Sequence, residues 1–135
     1  MDPRAAAEVF GSGAPITLVP LDATNYAPVT MEFYRRLERD RTTSVAEFVY
    51  RVLAAQEEYV RLGSYYFWDP LAVAIATEEG LGTFQEISLI VVEEEGAESG
   101  RTLESERGII MRVAMKADRE RFEALFLDAV NGRLP

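Results

Sequence analysis

The chain has 135 residues, of which 48% are hydrophobic and 27% charged, a balance typical of one soluble folded domain. Acidic residues outnumber basic ones by 23 to 14, and the net charge of -9 repels phosphate backbones and anionic lipid surfaces, so we expect neither nucleic acid nor membrane as a partner. Cysteine and histidine are absent from the sequence, which excludes disulfides, thiolate chemistry and imidazole and leaves only oxygen ligands for a metal.

The first segments predict a short helix followed by a buried strand. Asp2 and Pro3 have the pattern of an N-cap and a first helical residue, and the helix should end near Gly11. The apolar run "PITLVPL", Pro15 to Leu21, predicts a strand buried on both faces, as in a parallel sheet. The N-terminus lacks a basic region before an apolar one, and no apolar run approaches the length of a spanning helix, so we expect a cytoplasmic protein.

The middle of the chain predicts two helices. The first should start at Thr30, and the second at Ser44, with Glu47 as the reciprocal residue of a capping box. Apolar residues at helical spacing predict one packed face on the second helix: Val45, Phe48, Val49, Val52, Leu53 and Val60.

The remaining elements are one compact helix, two strands and a closing helix. Asp69 and Pro70 repeat the cap-then-proline pattern before a helix of small residues that should end near Gly80. Two strands are predicted, Glu86 to Val92 and Gly108 to Met115, separated by an acidic loop that has room for a short ribbon. Asp118 should cap the last helix, which Gly132 closes and whose apolar stripe is Phe122, Leu125, Phe126, Ala129 and Val130.

These elements predict an α/β fold with an open, mostly parallel sheet covered by helices and a terminal antiparallel hairpin. The sequence contains no internal repeat and no linker-like segment, so we expect residues 1–135 to form a single domain.

Two segments carry a family resemblance that covers nearly the whole chain. "MDPRAAAEVFGSGAPITLVPLDATNYAPVT" and "YYFWDPLAVAIA", with the later "ISLIVVEEEGAESGRTL", resemble the C-terminal half of the calcium-dependent nucleoside hydrolases of the inosine-uridine-preferring type. That family cleaves the N-glycosidic bond of ribonucleosides. The resemblance implies a ribonucleoside substrate and a bound calcium ion that holds the ribose hydroxyls and the attacking water.

The resemblance also implies roles for particular residues. Asp69 would be a calcium ligand, and Trp68, which stands where many members carry a histidine, would stack on the nucleobase and favour purines. Gln56 and Tyr59, on the preceding helix, would line the base pocket. The residues alone leave other interpretations open: Asp69 as a helix cap, and Trp68 and Tyr59 as core residues. The acidic run Glu93 to Glu95 is assigned no function.

The chain also departs from the family pattern. The D-x-D-x-x-D-D loop that binds the metal is absent from the sequence, and one carboxylate cannot hold an ion that takes about 6–8 oxygen ligands. We therefore expect a chain that is inactive alone, binds calcium weakly if at all, and either forms a homo-oligomer or pairs with a missing N-terminal half. The alternative is a non-catalytic oligomerising or binding module derived from the fold.

Overall fold

A computed structural model describes residues 2–134 of the chain. Contacts group these residues into two compact units. Unit 1 comprises residues 2–19 and 84–114, and unit 2 comprises residues 20–83 and 115–134. The elements in chain order are α1 (Pro3–Phe10), β1 (Thr17–Leu18), α2 (Leu21–Thr24), α3 (Met31–Asp40), α4 (Ser44–Ala54), α5 (Glu57–Arg61), α6 (Trp68–Thr77), a 3-10 turn (Glu79–Leu81), β2 (Gly82–Val91), β3 (Thr102–Glu104), β4 (Ile109–Ala117) and α7 (Arg119–Val130).

The four strands form one mixed sheet in the order β1-β4-β2-β3. β1 pairs in parallel with β4, placing Thr17 opposite Arg112, whereas β3 pairs antiparallel with β2, placing Ile90 opposite Leu103. The α/β class, the parallel pairing and the antiparallel hairpin are therefore confirmed, and the ribbon in the acidic loop is β3. Among the described helices, none combines the length and the apolar character needed to cross a bilayer.

The first strand is much shorter than predicted. The sequence indicated a strand from Pro15 to Leu21 buried on both faces, but only Thr17 and Leu18 are in β1, at one end of the sheet order, and Thr17 is exposed. The prolines on either side explain the difference. Neither Pro15 nor Pro20 has an amide hydrogen for the ladder, and Pro20 already precedes α2, which begins at Leu21.

Gly108, just before β4, lies where the backbone leaves no room for a side chain. A Cβ on Gly108 would lie 2.6 Å from the backbone N, C and O atoms of Leu89. We expect Gly108→Ala to destabilise the protein by about 1–3 kcal/mol, the usual cost of overpacking, because backbone atoms cannot move aside as a flexible side chain would. Urea unfolding checks this, with Ile110→Ala as control because Ile110 is 71% exposed. Equal losses in the two variants would contradict the prediction.

The core of unit 2 is a cluster of four phenylalanine rings. Phe67 lies at its centre, with ring centroids 4.9 Å from Phe33, 5.1 Å from Phe122 and 5.3 Å from Phe126. Phe33 and Phe122 are fully buried. The predicted stripe on α7 is thus confirmed as a packing face at Phe122 and Phe126. The predicted cap of α7 is also confirmed, because Asp118 Oδ1 accepts a hydrogen bond of 3.1 Å from the amide of Arg121.

The capping residue of α4 is Thr43 and not Ser44. Thr43 Oγ1 accepts a hydrogen bond of 3.0 Å from the amide of Ala46 and donates one of 2.5 Å to the carbonyl of Val130. Glu47 accepts hydrogen bonds from Arg41 and Arg51 instead of closing a capping box. The sequence offered three adjacent hydroxyl residues, 42–44, and the tertiary bond to Val130 favours the middle one.

The predicted packed face of α4 is largely uncovered. Val45, Phe48 and Val52 are 56%, 67% and 43% exposed, whereas Leu53 is buried. Val60, assigned to the same helix from the sequence, lies in α5 because α4 ends at Ala54. The spacing correctly identified an apolar stripe, but no other part of residues 2–134 covers most of it.

Glu123 is a buried acid that the sequence analysis did not identify. Its carboxylate lies 3.3 Å from both Arg36 and Arg119, and its side chain is 6% exposed. Desolvation raises the pKa of Glu123 above its usual value, and the charges of Glu32 and Glu120 add to this, while Arg119 and Arg36 oppose it. The i,i+4 spacing from Arg119 inside an apolar stripe is the signal that could have identified it.

The raised pKa predicts how stability depends on pH. The folded protein holds the Glu123 proton more tightly than the unfolded chain does, so the ionised form is penalised at neutral pH. As the pH falls from neutral through the folded pKa toward the ordinary value of 4.5, wild type should gain unfolding free energy relative to Glu123→Gln. Urea unfolding of both proteins at neutral and mildly acidic pH measures the difference. If acidification instead lowers the unfolding free energy of wild type relative to Glu123→Gln, the two ion pairs affect the pKa of Glu123 more than burial does.

Candidate functional site

The candidate site lies at the start of α6, where the aromatic run Tyr65 to Trp68 enters the helix. Phe67 is the N-cap residue, and no side chain caps this end. Asp69 therefore stands inside the first turn, so its predicted role as the helix cap is wrong. The helix starts one residue before Asp69 because Phe67 is fixed in the core, and the Phe67 carbonyl accepts the first helical bond from the amide of Leu71.

The Asp69 carboxylate is exposed and has no hydrogen bond or ion-pair partner among residues 2–134. An acid in the first turn interacts favourably with the positive end of the helix dipole, which is a weak structural role at the surface. Asp69 thus retains both carboxylate oxygens for a ligand.

The aromatic run divides into one core residue and three outer residues. Phe67 is 3% exposed, whereas Trp68 is 37% exposed and Tyr65 and Tyr66 are half-buried. The Trp68 ring centroid lies 5.3 Å from that of Tyr65, nearly perpendicular at 71°, and 5.9 Å from that of Tyr66, tilted at 43°. We call Tyr65, Tyr66 and Trp68 the outer aromatic cluster. Packing inside the core accounts for Phe67 but not for Trp68.

A short backbone bridge fixes this run in place. The amide of Val29 donates to the Tyr65 carbonyl at 2.8 Å, and the amide of Phe67 donates to the Ala27 carbonyl at 3.0 Å, so that Pro28 faces Tyr66 in an antiparallel bridge. Ala27 and Val29 are themselves buried. The outer aromatic cluster is therefore attached on both sides to the core of unit 2.

The two other predicted base-pocket residues lie on or beside α5. Gln56 immediately precedes that helix and is half-buried, and Tyr59 is on it and 55% exposed. Within residues 2–134, neither has a hydrogen bond or ring contact with Trp68. Tyr59 is not packed in the core, so the interpretation of Tyr59 as a core residue is wrong, while its role at a base pocket stays a prediction.

An open groove of about 810 Å³ runs between α6 and α7, and Asp69 and Pro70, from the first turn of α6, are among its lining residues. Apart from Asp69, Glu78 and Thr77, its lining is apolar. It includes all five residues of the α7 stripe, together with Val45 of α4, Val73 and Ala74 of α6, and Leu134. Glu78 is paired with Arg121 at 2.9 Å. The sequence predicted the apolar stripe on α7. It did not predict that part of this stripe is open to solvent, because the tertiary arrangement determines what covers a helix face.

The described residues do not form a complete metal site. Within residues 2–134, no group of three acidic, histidine or cysteine side chains converges where a metal ion could bind. The unpaired carboxylate of Asp69 has the right chemistry for one calcium ligand, but calcium takes about 6–8 oxygens. These residues therefore provide one ligand of a calcium site and not the full set.

Comparison with solved structures places this arrangement among the nucleoside hydrolases. The inosine-uridine preferring nucleoside hydrolase from Bacillus anthracis superposes on 98% of this chain with a TM-score of 0.84 and 26% sequence identity. The purine-preferring ribonucleoside hydrolase from Gardnerella vaginalis superposes on 98% of this chain with a TM-score of 0.75 and 30% sequence identity. The model of the family described as inosine-uridine preferring nucleoside hydrolase matches residues 1–124. The chain belongs to that family, as the sequence resemblance implied.

The similarity covers only part of each relative. The chain spans 42% of the Bacillus anthracis protein and 44% of the Gardnerella vaginalis protein. Nucleoside hydrolase 3 of Arabidopsis thaliana is 38% identical in a match over 82 residues that covers 56% of this chain and 9% of that protein. This chain therefore spans less than half the length of these relatives.

Proposed function

We propose that residues 1–135 act as one C-terminal domain of a nucleoside hydrolase that cleaves the N-glycosidic bond of purine ribonucleosides. The observation that supports this most is the start of α6, where the unpaired Asp69 carboxylate directly follows the exposed Trp68 ring in a chain of this family. One side chain offers an aromatic face for a base, and the next offers oxygen to a cation.

Trp68 is proposed to bind the nucleobase by stacking. Its neighbours Tyr65 and Tyr66 meet it at 71° and 43°, so neither stacks parallel on the indole, and Trp68 is 37% exposed. We propose that a planar base stacks on the exposed part of this ring. Stacking of a base on an aromatic side chain contributes about 1–3 kcal/mol in nucleic acid complexes, and a purine has the larger face. Gln56 and Tyr59 are proposed to contact the edge of the base.

Asp69 is proposed to supply one ligand to a calcium ion, the metal that the family resemblance implies. A bound calcium ion would orient the ribose hydroxyls and lower the pKa of a coordinated water. Asp69 suits this role because its carboxylate makes no competing hydrogen bond within residues 2–134. The remaining ligands would come from residues beyond these 135, so we propose that the isolated chain is inactive and binds calcium weakly. A cytoplasmic location stays a prediction from the sequence.

The substrate proposal can be tested in a chimera in which residues 2–134 replace the structurally matched part of the Gardnerella vaginalis enzyme. Trp68→Ala in this chimera should lower kcat/KM for inosine by about 5- to 100-fold, which corresponds to the loss of one stacked base. The loss for uridine should be smaller. Tyr26→Ala is a matched control, because Tyr26 is 47% exposed and lies outside the outer aromatic cluster. An equal loss on both nucleosides would contradict the stacking role.

The open groove supports a proposal about the partner. Relatives of the same fold contain more than twice as much chain, and the groove adjoins Asp69, whose proposed calcium site needs further ligands. We propose that the part of the nucleoside hydrolase fold beyond these residues covers the groove. Val45 of the groove lining is on α4, where the exposed Phe48 extends the same apolar character beyond the groove.

In the isolated chain, the uncovered groove should cause self-association, because large apolar patches are rarely left exposed by monomers. We expect light scattering at micromolar concentration to give a dimer or larger species, and Val73→Glu, which places a charge at a 65% exposed groove position, to restore the monomer of 15.1 kDa. Glu8→Lys, on exposed α1 in unit 1, serves as a charge-changing control. A wild-type chain that is monomeric would contradict the prediction.

A further inference from the structure

We propose that Tyr65 is a positioning residue that holds the Trp68 indole with one face open for the base, an inference that rests on the stacking role proposed above. The Tyr65 hydroxyl has no assigned task, and Tyr65 is not placed in contact with the substrate. Its proposed action is on Trp68 alone.

The first support is the geometry of the ring pair. The Tyr65 and Trp68 centroids are 5.3 Å apart with planes at 71°, a T-shaped contact, which is a preferred arrangement for two aromatic rings. A T-shaped neighbour restrains the indole without lying parallel over its face. Tyr66 is farther away, at 5.9 Å, and tilted at 43°, so it offers a weaker restraint of the same kind.

The second support is the fixed backbone of Tyr65. Its carbonyl accepts a 2.8 Å hydrogen bond from the amide of Val29, which is buried, and two residues later Phe67 is anchored in the core by three ring contacts. Tyr65 is thus held from both sides, whereas Trp68 is 37% exposed and would have free rotamers without a neighbour. A fixed residue can restrain a mobile one.

The restraint has a functional consequence for binding. An exposed tryptophan that samples several rotamers must lose that freedom when it stacks on a ligand, and a residue that fixes the rotamer beforehand removes part of this cost. The effect is specific to ligands that stack on the indole. It should therefore favour purine nucleosides over pyrimidine nucleosides and leave global stability nearly unchanged.

Trp68 is the only tryptophan in the sequence, so its fluorescence reports on this one ring. The experiment measures two quantities in the full 135-residue chain, excited where tyrosine does not absorb: the anisotropy of Trp68 without ligand, and the saturable quenching by inosine and by uridine. The variants are Tyr65→Ala, Tyr65→Phe and Tyr66→Ala. Thermal melting is followed in parallel.

We expect Tyr65→Ala to lower the anisotropy and to weaken inosine quenching by about two- to tenfold, the size of effect expected from one aromatic pair. Tyr65→Phe, which keeps the ring, should behave as wild type, and Tyr66→Ala should have the smaller effect. Unchanged anisotropy in Tyr65→Ala, or a larger effect of Tyr66→Ala, would overturn the proposal. If Tyr65→Ala lowers the Trp68 anisotropy but inosine gives no saturable quenching in any protein, including wild type, the result supports the positioning role of Tyr65 and contradicts the stacking role of Trp68.

Discussion

Replacement of Phe67 by alanine is expected to lower the free energy of unfolding by about 3–5 kcal/mol, the usual cost of removing a buried aromatic ring. Phe67 is 3% exposed and lies at the centre of the phenylalanine cluster, with three rings within 5.3 Å. The cavity cannot close easily because Phe33 and Phe122 come from different helices, α3 and α7. Native proteins are stable by only about 5–15 kcal/mol, so this single substitution should remove a large share of the total stability.

Urea or thermal unfolding measures this loss, with Phe48→Ala as the matched control. Phe48 has the same side chain but is 67% exposed, so its removal should change stability by less than about 0.5 kcal/mol. Because Phe67 also precedes Trp68, its loss should shift Trp68 emission toward that of a fully exposed indole. If both phenylalanine variants lose the same stability, the cluster is not the core of unit 2.

Replacement of Asp69 by asparagine is expected to abolish calcium-dependent hydrolysis in the chimera while leaving the fold intact. Loss of a residue that only orients a metal ligand typically costs about 10- to 100-fold in activity or affinity, so loss of a direct ligand should cost at least that much. Stability should change by less than about 0.5 kcal/mol, because the Asp69 carboxylate accepts no capping hydrogen bond.

Asp118→Asn and Asp118→Ala are the matching controls for this separation. Asp118 does cap a helix, through a 3.1 Å bond from the amide of Arg121, so its alanine variant should lose about 0.5–2 kcal/mol of stability and little activity per folded molecule. We therefore expect the Asp69 variant to lose activity and keep its stability, and the Asp118 alanine variant to lose stability and keep its activity. Intact turnover in Asp69→Asn would show that this carboxylate binds no catalytic metal.

The sequence predicted best where the determining interactions are local. Asp2 and Asp118 were identified as helix caps, and each accepts a hydrogen bond from an amide three residues ahead, at 3.0 Å and 3.1 Å. The strands that became β2 and β4 were also found, because their alternating and β-branched residues determine extended structure over a short range. Such features need no knowledge of distant residues.

The sequence predicted least where distant residues decide. Asp69 matches the cap-then-proline pattern of Asp2, which predicts a helix from Pro70. Helix α6 starts two residues earlier, at Trp68, because Phe67 is hydrogen-bonded to Ala27 and packed among three rings. The stripe on α4 has the spacing of a buried face, but Val45 and Phe48 are exposed. Periodicity shows that a face is apolar and cannot show what covers it.

The candidate site was predicted in part. Trp68 and Asp69 were singled out from the motif "FWDP", and the structure leaves the first exposed and the second unpaired. The contact of Tyr65 with Trp68 was not predicted, because it depends on the bridge between residues 27–29 and 65–67. The placement of Gln56 and Tyr59 depends on the short helix α5, whose break from α4 the sequence did not reveal.

These residues are proposed to supply Asp69 and Trp68 to a calcium-dependent nucleoside hydrolase site. The most direct test is the rate of ribose release from inosine by the folded chimera, with calcium present and after its removal by a chelator. We expect ribose release that requires calcium and falls to background when calcium is removed. A chimera that is folded by circular dichroism but releases no ribose with calcium, or releases it equally well without calcium, would show that Asp69 and Trp68 do not form such a site.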